Sequence, residues 1–119
     1  MGNLRVAVCD DEPMDLVQTI TLIQQYDTGK CFDIFSYTRA VDLLKIALEK
    51  PFDVVLLDIE METPNGYEIA KKLVMLPSPP VIIFVTKSSA YTLKGYGIAL
   101  RYLQKPLARA AFEEALDAS

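Results

Sequence analysis

Three aspartates, a threonine and a lysine stand where apolar runs end. Asp10 and Asp11 follow Leu4 to Cys9, Asp58 follows Val54 to Leu57, Thr86 follows Val81 to Val85, and Lys105 follows Ile98 to Gln104. Three carboxylates brought together repel one another unless a cation neutralises them, and hard oxygen ligands with room for water suit Mg²⁺. A lysine and a threonine beside them offer an anion one positive charge and one hydrogen-bond donor. A metal with these two groups next to one carboxylate is equipment for moving a phosphoryl group onto that carboxylate, because the transition state is stabilised mainly by charge and position. The chemistry requires that the elements carrying these residues bring them together.

Asp53-Val54-Val55-Leu56-Leu57-Asp58-Ile59-Glu60-Met61 is an apolar run that delivers Asp58 at its end. Such a run reads as a strand buried on both faces, where a carboxylate is costly unless compensated. Leu4 to Cys9 reads as a first strand, stopped by Asp10-Asp11-Glu12-Pro13, since proline suits the first turn of a helix and aspartate its N-cap. Leu16, Ile20 and Ile23 then share one helical face, and Asp27-Thr28-Gly29 ends the helix. Cys31 to Ser36 is short and alternating, as an edge strand should be. Thr38 is placed to cap a second helix with Ala40, Leu43, Leu44, Ala47 and Leu48 inward.

After the Asp58 run, a turn over Glu62-Thr63-Pro64-Asn65-Gly66 leads to a helix with Ile69, Ala70 and Leu73 inward. Pro77-Ser78-Pro79-Pro80 precedes Val81 to Val85, a second fully apolar strand. A short helix around Ala90 to Tyr96, a stop at Gly97 and a last strand from Ile98 to Gln104 follow. Lys105-Pro106 reads as a turn, and Leu107 onward as a final helix with Ala108, Phe112, Ala115 and Leu116 on one side. Strand then helix, five times, predicts an α/β fold: a flavodoxin-like (βα)5 doubly wound parallel sheet in order 2-1-3-4-5. The strands of such a sheet run the same way, so the residues that close them lie along one rim.

The 119 residues are enough for one domain with a proper core, and no linker or repeat divides them. A net charge of −4 argues against a nucleic-acid or anionic-membrane surface on this domain. No apolar run approaches the roughly 18 residues of a membrane span, and Met1 to Val6 is no signal peptide, so a cytoplasmic protein is expected. Cys9 and Cys31 fall at opposite ends of neighbouring parallel strands, too far apart for a disulfide.

Val8-Cys9-Asp10-Asp11-Glu12, Leu57-Asp58-Ile59-Glu60-Met61 with Gly66 eight positions after Asp58, Phe84-Val85-Thr86 and Tyr102-Leu103-Gln104-Lys105-Pro106 resemble the receiver domain of bacterial two-component response regulators. The resemblance spans essentially the whole chain in the right order. The segment from Ile83 to Pro106 is similar more particularly to receivers of LytR/AlgR-type transcription regulators. The resemblance implies a signalling domain rather than an enzyme, with Asp58 as phosphoacceptor and a sensor histidine kinase as donor. It implies that Asp10, Asp11, Asp58 and the Glu60 backbone carbonyl hold Mg²⁺, with Asp11 a direct ligand of the acidic pair. Thr86 and Lys105 would hold the phosphoryl oxygens, Thr86 and Tyr102 would switch, and Lys105-Pro106 would be a cis peptide. Glu60 and Ser88 would tune how fast water removes the phosphoryl group. The expected output runs through the face of the fourth helix, the last strand and the final helix, by homodimerisation or by contact with a C-terminal DNA-binding domain outside residues 1–119. Glu62, Pro64 and Lys87 depart from the family pattern, at positions outside the site itself.

Singly, each of these residues has a plainer use. Aspartates cap helices, threonines sit in turns, lysines cover surfaces and prolines open helices. Two rival functions also stand. One is a Mg²⁺-dependent phosphohydrolase with an aspartyl nucleophile, which Asp58-Ile59-Glu60 partly mimics, and the other is a non-phosphorylated receiver-like interaction module.

Overall fold

The computed structural model describes residues 3–27, 29, 31–60, 66–87 and 101–117. Five parallel strands, β1 (Leu4–Cys9), β2 (Phe32–Tyr37), β3 (Val54–Asp58), β4 (Val81–Thr86) and β5 (Arg101–Gln104), form one sheet in the order β2-β1-β3-β4-β5. The described helices are α1 (Pro13–Tyr26), α2 (Ala40–Glu49), α3 (Gly66–Leu73) and α4 (Arg109–Asp117). The turn at 62–65, Ser88, the helix expected from Ala90 to Tyr96, Gly97 and the first residues of the last strand lie outside the described residues.

The burial pattern explains the strand order. Every residue of β3 is buried, as are all but the first of β4, and such strands are stable only with both faces covered. β2 has no fully buried residue, only half-buried and exposed ones, which suits an edge. Along β3, successive side chains point to opposite faces. Val55 and Leu57 join Ala7, Leu43, Ile69, Leu73 and Phe84 in the core under α2 and α3. Val54 and Leu56 join Val6, Leu16, Ile23, Ile83 and Phe112 in the core under α1 and α4.

Several local expectations differ from the structure. The first residue outside α1 is Glu12 and that outside α2 is Arg39, neither with a side-chain cap, so neither an aspartate nor Thr38 caps these helices as expected. Leu48 is 66% exposed although it fits the inward stripe of α2, whereas Ala47 in the same turn is buried. Ala108 precedes α4 and is exposed, while Phe112, Ala115 and Leu116 are buried as expected. Among the described residues no helix is long and apolar enough to cross a membrane.

Cys9 and Cys31 are not joined by a disulfide. Cys9 is buried at the end of β1, where burial first, and then the neighbouring Asp10 charge, push its thiol up to about 12. Cys31 is exposed. Reaction of the native protein with a thiol reagent at pH 8 is therefore expected to modify Cys31 quickly and Cys9 only on unfolding. Two equally fast thiols would contradict the burial of Cys9.

Candidate functional site

Strand register decides which residues meet. Cys9 lies opposite Leu57, so Asp10 and Asp58, each one step further, fall side by side on adjacent strands. Asp58 pairs with Val85 and Thr86 with Gln104, which puts Thr86 next to Asp58 and Lys105 just beyond Thr86. The Lys105 N–H donates to the Thr86 carbonyl at 2.8 Å, and the Asp10 N–H donates to the Tyr37 carbonyl at 3.1 Å, holding the rim together by backbone contacts.

Two short turns aim the buried aspartates. Asp10 Oδ1 accepts the Glu12 N–H at 2.9 Å, and Asp58 Oδ1 accepts the Glu60 N–H at 2.9 Å. Both are side-chain-to-backbone closures two residues on, a use of aspartate that competes with helix capping. The other oxygen of each faces Lys105. The Lys105 ammonium donates to Asp10 Oδ2 at 2.7 Å, Asp15 Oδ2 at 2.9 Å and Asp58 Oδ2 at 3.1 Å. Burial alone would lower the Lys105 pKa, but the hydrogen bonds to Asp10 and Asp15 and the charge of Asp58 hold it above its ordinary value.

Asp58 is only 5% exposed. Burial first, and then the charge of Asp10, raise its pKa from 3.8 to about 6, although Lys105 and the Glu60 N–H pull the other way. A carboxyl whose folded pKa lies above its unfolded value contributes stability in full below the unfolded pKa and loses it as pH rises through the folded one. In the metal-free protein Asp58 therefore costs stability above about pH 6. Asp58→Asn is expected to stabilise the protein against urea by about 1–3 kcal/mol at pH 7 in EDTA, and by much less at pH 4. An equal effect at both pH values would show that the charge of Asp58 is not the cause.

Ligand oxygens of Asp10, Asp11 and Asp58 lie within 4.8 Å of one another, with Asp11 exposed and the other two buried. A hard divalent cation takes oxygen donors of this kind, so the donor set fits one. The rim also encloses a cleft of about 220 Å³, lined by Asp11, Asp15, Asp58, Glu60, Lys87 and Lys105 among others. A larger cavity of about 530 Å³ lies at the opposite ends of the strands, among Leu4, Tyr26, Phe32, Val81 and Leu116, and none of the rim residues lines it. The chemistry belongs to the smaller space, where the charged groups converge.

The sequence expectation thus brings together Asp10, Asp11, Asp58, Thr86 and Lys105. Thr86 is 2% exposed and donates its hydroxyl to Glu60 Oε1 at 2.9 Å, so the Glu60 side chain, and not only its backbone, belongs to the site. Tyr102 is half-buried on β5, its ring 5.3 Å from that of Phe84. The Lys105-Pro106 peptide is cis. Asp15 was not anticipated. It is an acidic residue in the first turn of α1, one helical turn past Asp11, a place where aspartate is common for helix-dipole reasons alone.

The family model of the response regulator receiver domain matches residues 6–117. The chain belongs to the receiver domain family. This receiver is 29% identical over 114 residues to the sensory transduction protein LytR of Streptococcus mutans, covering 95% of this chain and 47% of that protein. It is also 29% identical over 114 residues to the sensory transduction protein LytT of Bacillus subtilis, covering 95% of this chain and 46% of that protein. The receiver spans about half the length of these curated relatives. Its fold matches the response regulatory domain of protein mrkE from Klebsiella pneumoniae, with a TM-score of 0.87 at 22% identity over 96% of this chain and 93% of that one.

Proposed function

We propose that Asp58 is the phosphoacceptor of this receiver and takes its phosphoryl group from a phosphohistidine on a sensor histidine kinase. The observation that carries this is the meeting of Asp58 with Asp10, Asp11 and Lys105 at one sheet rim, in a cleft open to a small donor. Asp58 Oδ2 attacks phosphorus, the phosphorus–nitrogen bond of the donor breaks, and the imidazole leaves and takes a proton from solvent. The product is an acyl phosphate on Asp58. The Asp10, Asp11 and Asp58 carboxylates and the Glu60 carbonyl would hold Mg²⁺, which when bound neutralises the crowded carboxylates and the transferring group.

The chain's own groups do the rest. Lys105, already 3.1 Å from Asp58, turns toward a phosphoryl oxygen. Thr86 exchanges its hydrogen bond to Glu60 for one to the phosphoryl group. That movement leaves space near β5 into which Tyr102 turns, changing the face that includes β5 and α4 and, with it, homodimerisation or contact with an output domain. Glu60 and Ser88 set the lifetime of the acyl phosphate by controlling the approach of water. Residues 1–119 form a single receiver, a switch rather than a turnover enzyme, working in the cytoplasm as the N-terminal part of a longer regulator with a DNA-binding output. The relatives named LytR and LytT, about twice as long as this chain, support that last reading.

Incubation with acetyl phosphate and Mg²⁺, followed by intact mass measurement, tests the proposal. One phosphoryl group per chain is expected in the wild type and none in Asp58→Asn. Uptake that survives Asp58→Asn would place the acceptor elsewhere, and multiple turnover of phosphate monoesters would favour the phosphohydrolase.

A further inference from the structure

The geometry points to Asp15 as the positioning residue that keeps Lys105 at the rim when a divalent cation draws on Asp10 and Asp58. This rests on the proposed metal site but concerns a residue outside it.

A lysine ammonium has three N–H donors, and all three of those on Lys105 are taken by carboxylates. The three acceptors are not equivalent. Asp10 and Asp58 each have Oδ1 committed to a backbone N–H, of Glu12 and Glu60, and Oδ2 committed to Lys105. A cation shared by Asp10, Asp11 and Asp58 draws on two of the carboxylates that hold Lys105 and weakens their pull on it. Two positive charges on the same carboxylates also repel each other. Asp15 is outside the converging triad of Asp10, Asp11 and Asp58, so its 2.9 Å bond to Lys105 is the one that cation binding leaves alone.

Asp15 is well placed for this. It sits in the first turn of α1, behind Pro13, where the positive end of the helix favours a carboxylate. Its side chain is 23% exposed, against 3% for Asp10 and 6% for Asp58, so it can change partners without being stranded away from water. It also lines the cleft over Asp58, so Lys105 held by Asp15 stays within the space a phosphoryl group would enter. Asp15 touches Lys105 and not the reacting atoms, so its effect is on where the ammonium stands.

The test follows the Lys105 ammonium signal by ¹⁵N-detected NMR during a Mg²⁺ titration of the wild type, Asp15→Ala and Asp15→Asn. The wild-type signal is expected to stay sharp throughout. In Asp15→Ala it is expected to exchange slightly faster than the wild type without Mg²⁺, because one N–H has lost its acceptor, and about tenfold faster with water once Mg²⁺ saturates. Asp15→Asn keeps an oxygen acceptor and is expected to fall between the two. At saturating Mg²⁺, uptake from acetyl phosphate is expected to slow about tenfold in Asp15→Ala and less in Asp15→Asn. An Asp15→Ala ammonium signal that does not change along the Mg²⁺ titration overturns the inference. Failure of the phosphoacceptor proposal would look different: the ammonium signals would still respond to Mg²⁺ as described, while the wild type took up no phosphoryl group.

Discussion

Lys105→Met is expected to destabilise the metal-free protein by about 3–5 kcal/mol at pH 7, because it removes the cation from a largely buried group of carboxylates. The Lys105 side chain is 7% exposed and serves Asp10, Asp15 and Asp58 at once. Methionine fills similar volume, so packing changes little and the loss is electrostatic. Without Lys105 the main influence lowering the Asp58 pKa disappears, and that pKa rises further above its unfolded value. The sign of the pH dependence follows: the destabilisation is largest at pH 7 and shrinks as pH falls and Asp58 takes up a proton. Adding Asp58→Asn to Lys105→Met should recover about 2–4 kcal/mol, more than Asp58→Asn gains in the wild type, since the second change removes a charge that the first left unpaired. Urea denaturation of the four proteins in EDTA measures the cycle. A loss below about 1 kcal/mol that ignores pH would mean that water, not Lys105, satisfies these carboxylates.

Gly66→Ala is expected to cost about 3 kcal/mol and to slow phosphoryl uptake together with stability. Gly66 opens α3 directly against the end of β3, donating its N–H to the Ile59 carbonyl at 3.1 Å. A methyl group there would collide with the Asp58 carbonyl oxygen and stand 2.9 Å from the Asp58 carbonyl carbon and 3.0 Å from the Ile59 Cα. All three atoms are backbone, so no side chain can turn away, and α3 must move off the strand. The buried Ile69, Ala70 and Leu73 move with it, which is why the cost exceeds that of an ordinary glycine substitution. Because two of the three crowded atoms belong to Asp58, the proposed acceptor shifts too. A stable Gly66→Ala protein with wild-type uptake would show that the approach of α3 to β3 can relax without disturbing the site.

How far the sequence reveals this molecule depends on the range of the interaction. The strands and their order were legible because Val54 to Leu57 and Val81 to Val85 are apolar throughout, and only a central parallel position buries both faces. The rim residues were legible because a shared strand direction turns separate strand ends into one neighbourhood. Helix ends were less legible. Asp10 closes on the Glu12 N–H and holds Lys105 instead of capping α1, so a tertiary demand outweighed a local preference. Leu48 obeys the helical stripe and is still exposed, because periodicity picks out a face and not how far tertiary packing covers it. Asp15 gave no distinctive signal, since a first-turn aspartate has a sufficient local explanation. Its bond to Lys105 spans 90 positions of sequence. The Thr86–Glu60 bond was hidden for a related reason, as both residues had been assigned other partners.

The turns that tie Oδ1 of Asp10 and Asp58 to their own backbones have a stereochemical consequence. A carboxylate free in water rotates about its last bond and offers two interchangeable nucleophilic oxygens. On Asp58 the two are distinguishable, one spent on a local N–H and the other held toward Lys105, so the line of attack exists before any donor arrives. A small donor with no docking surface of its own then meets a nucleophile already aimed. In the proposed phosphoryl transfer a kinase partner would then supply affinity and choice, while the direction of the reaction would be inherent in the receiver.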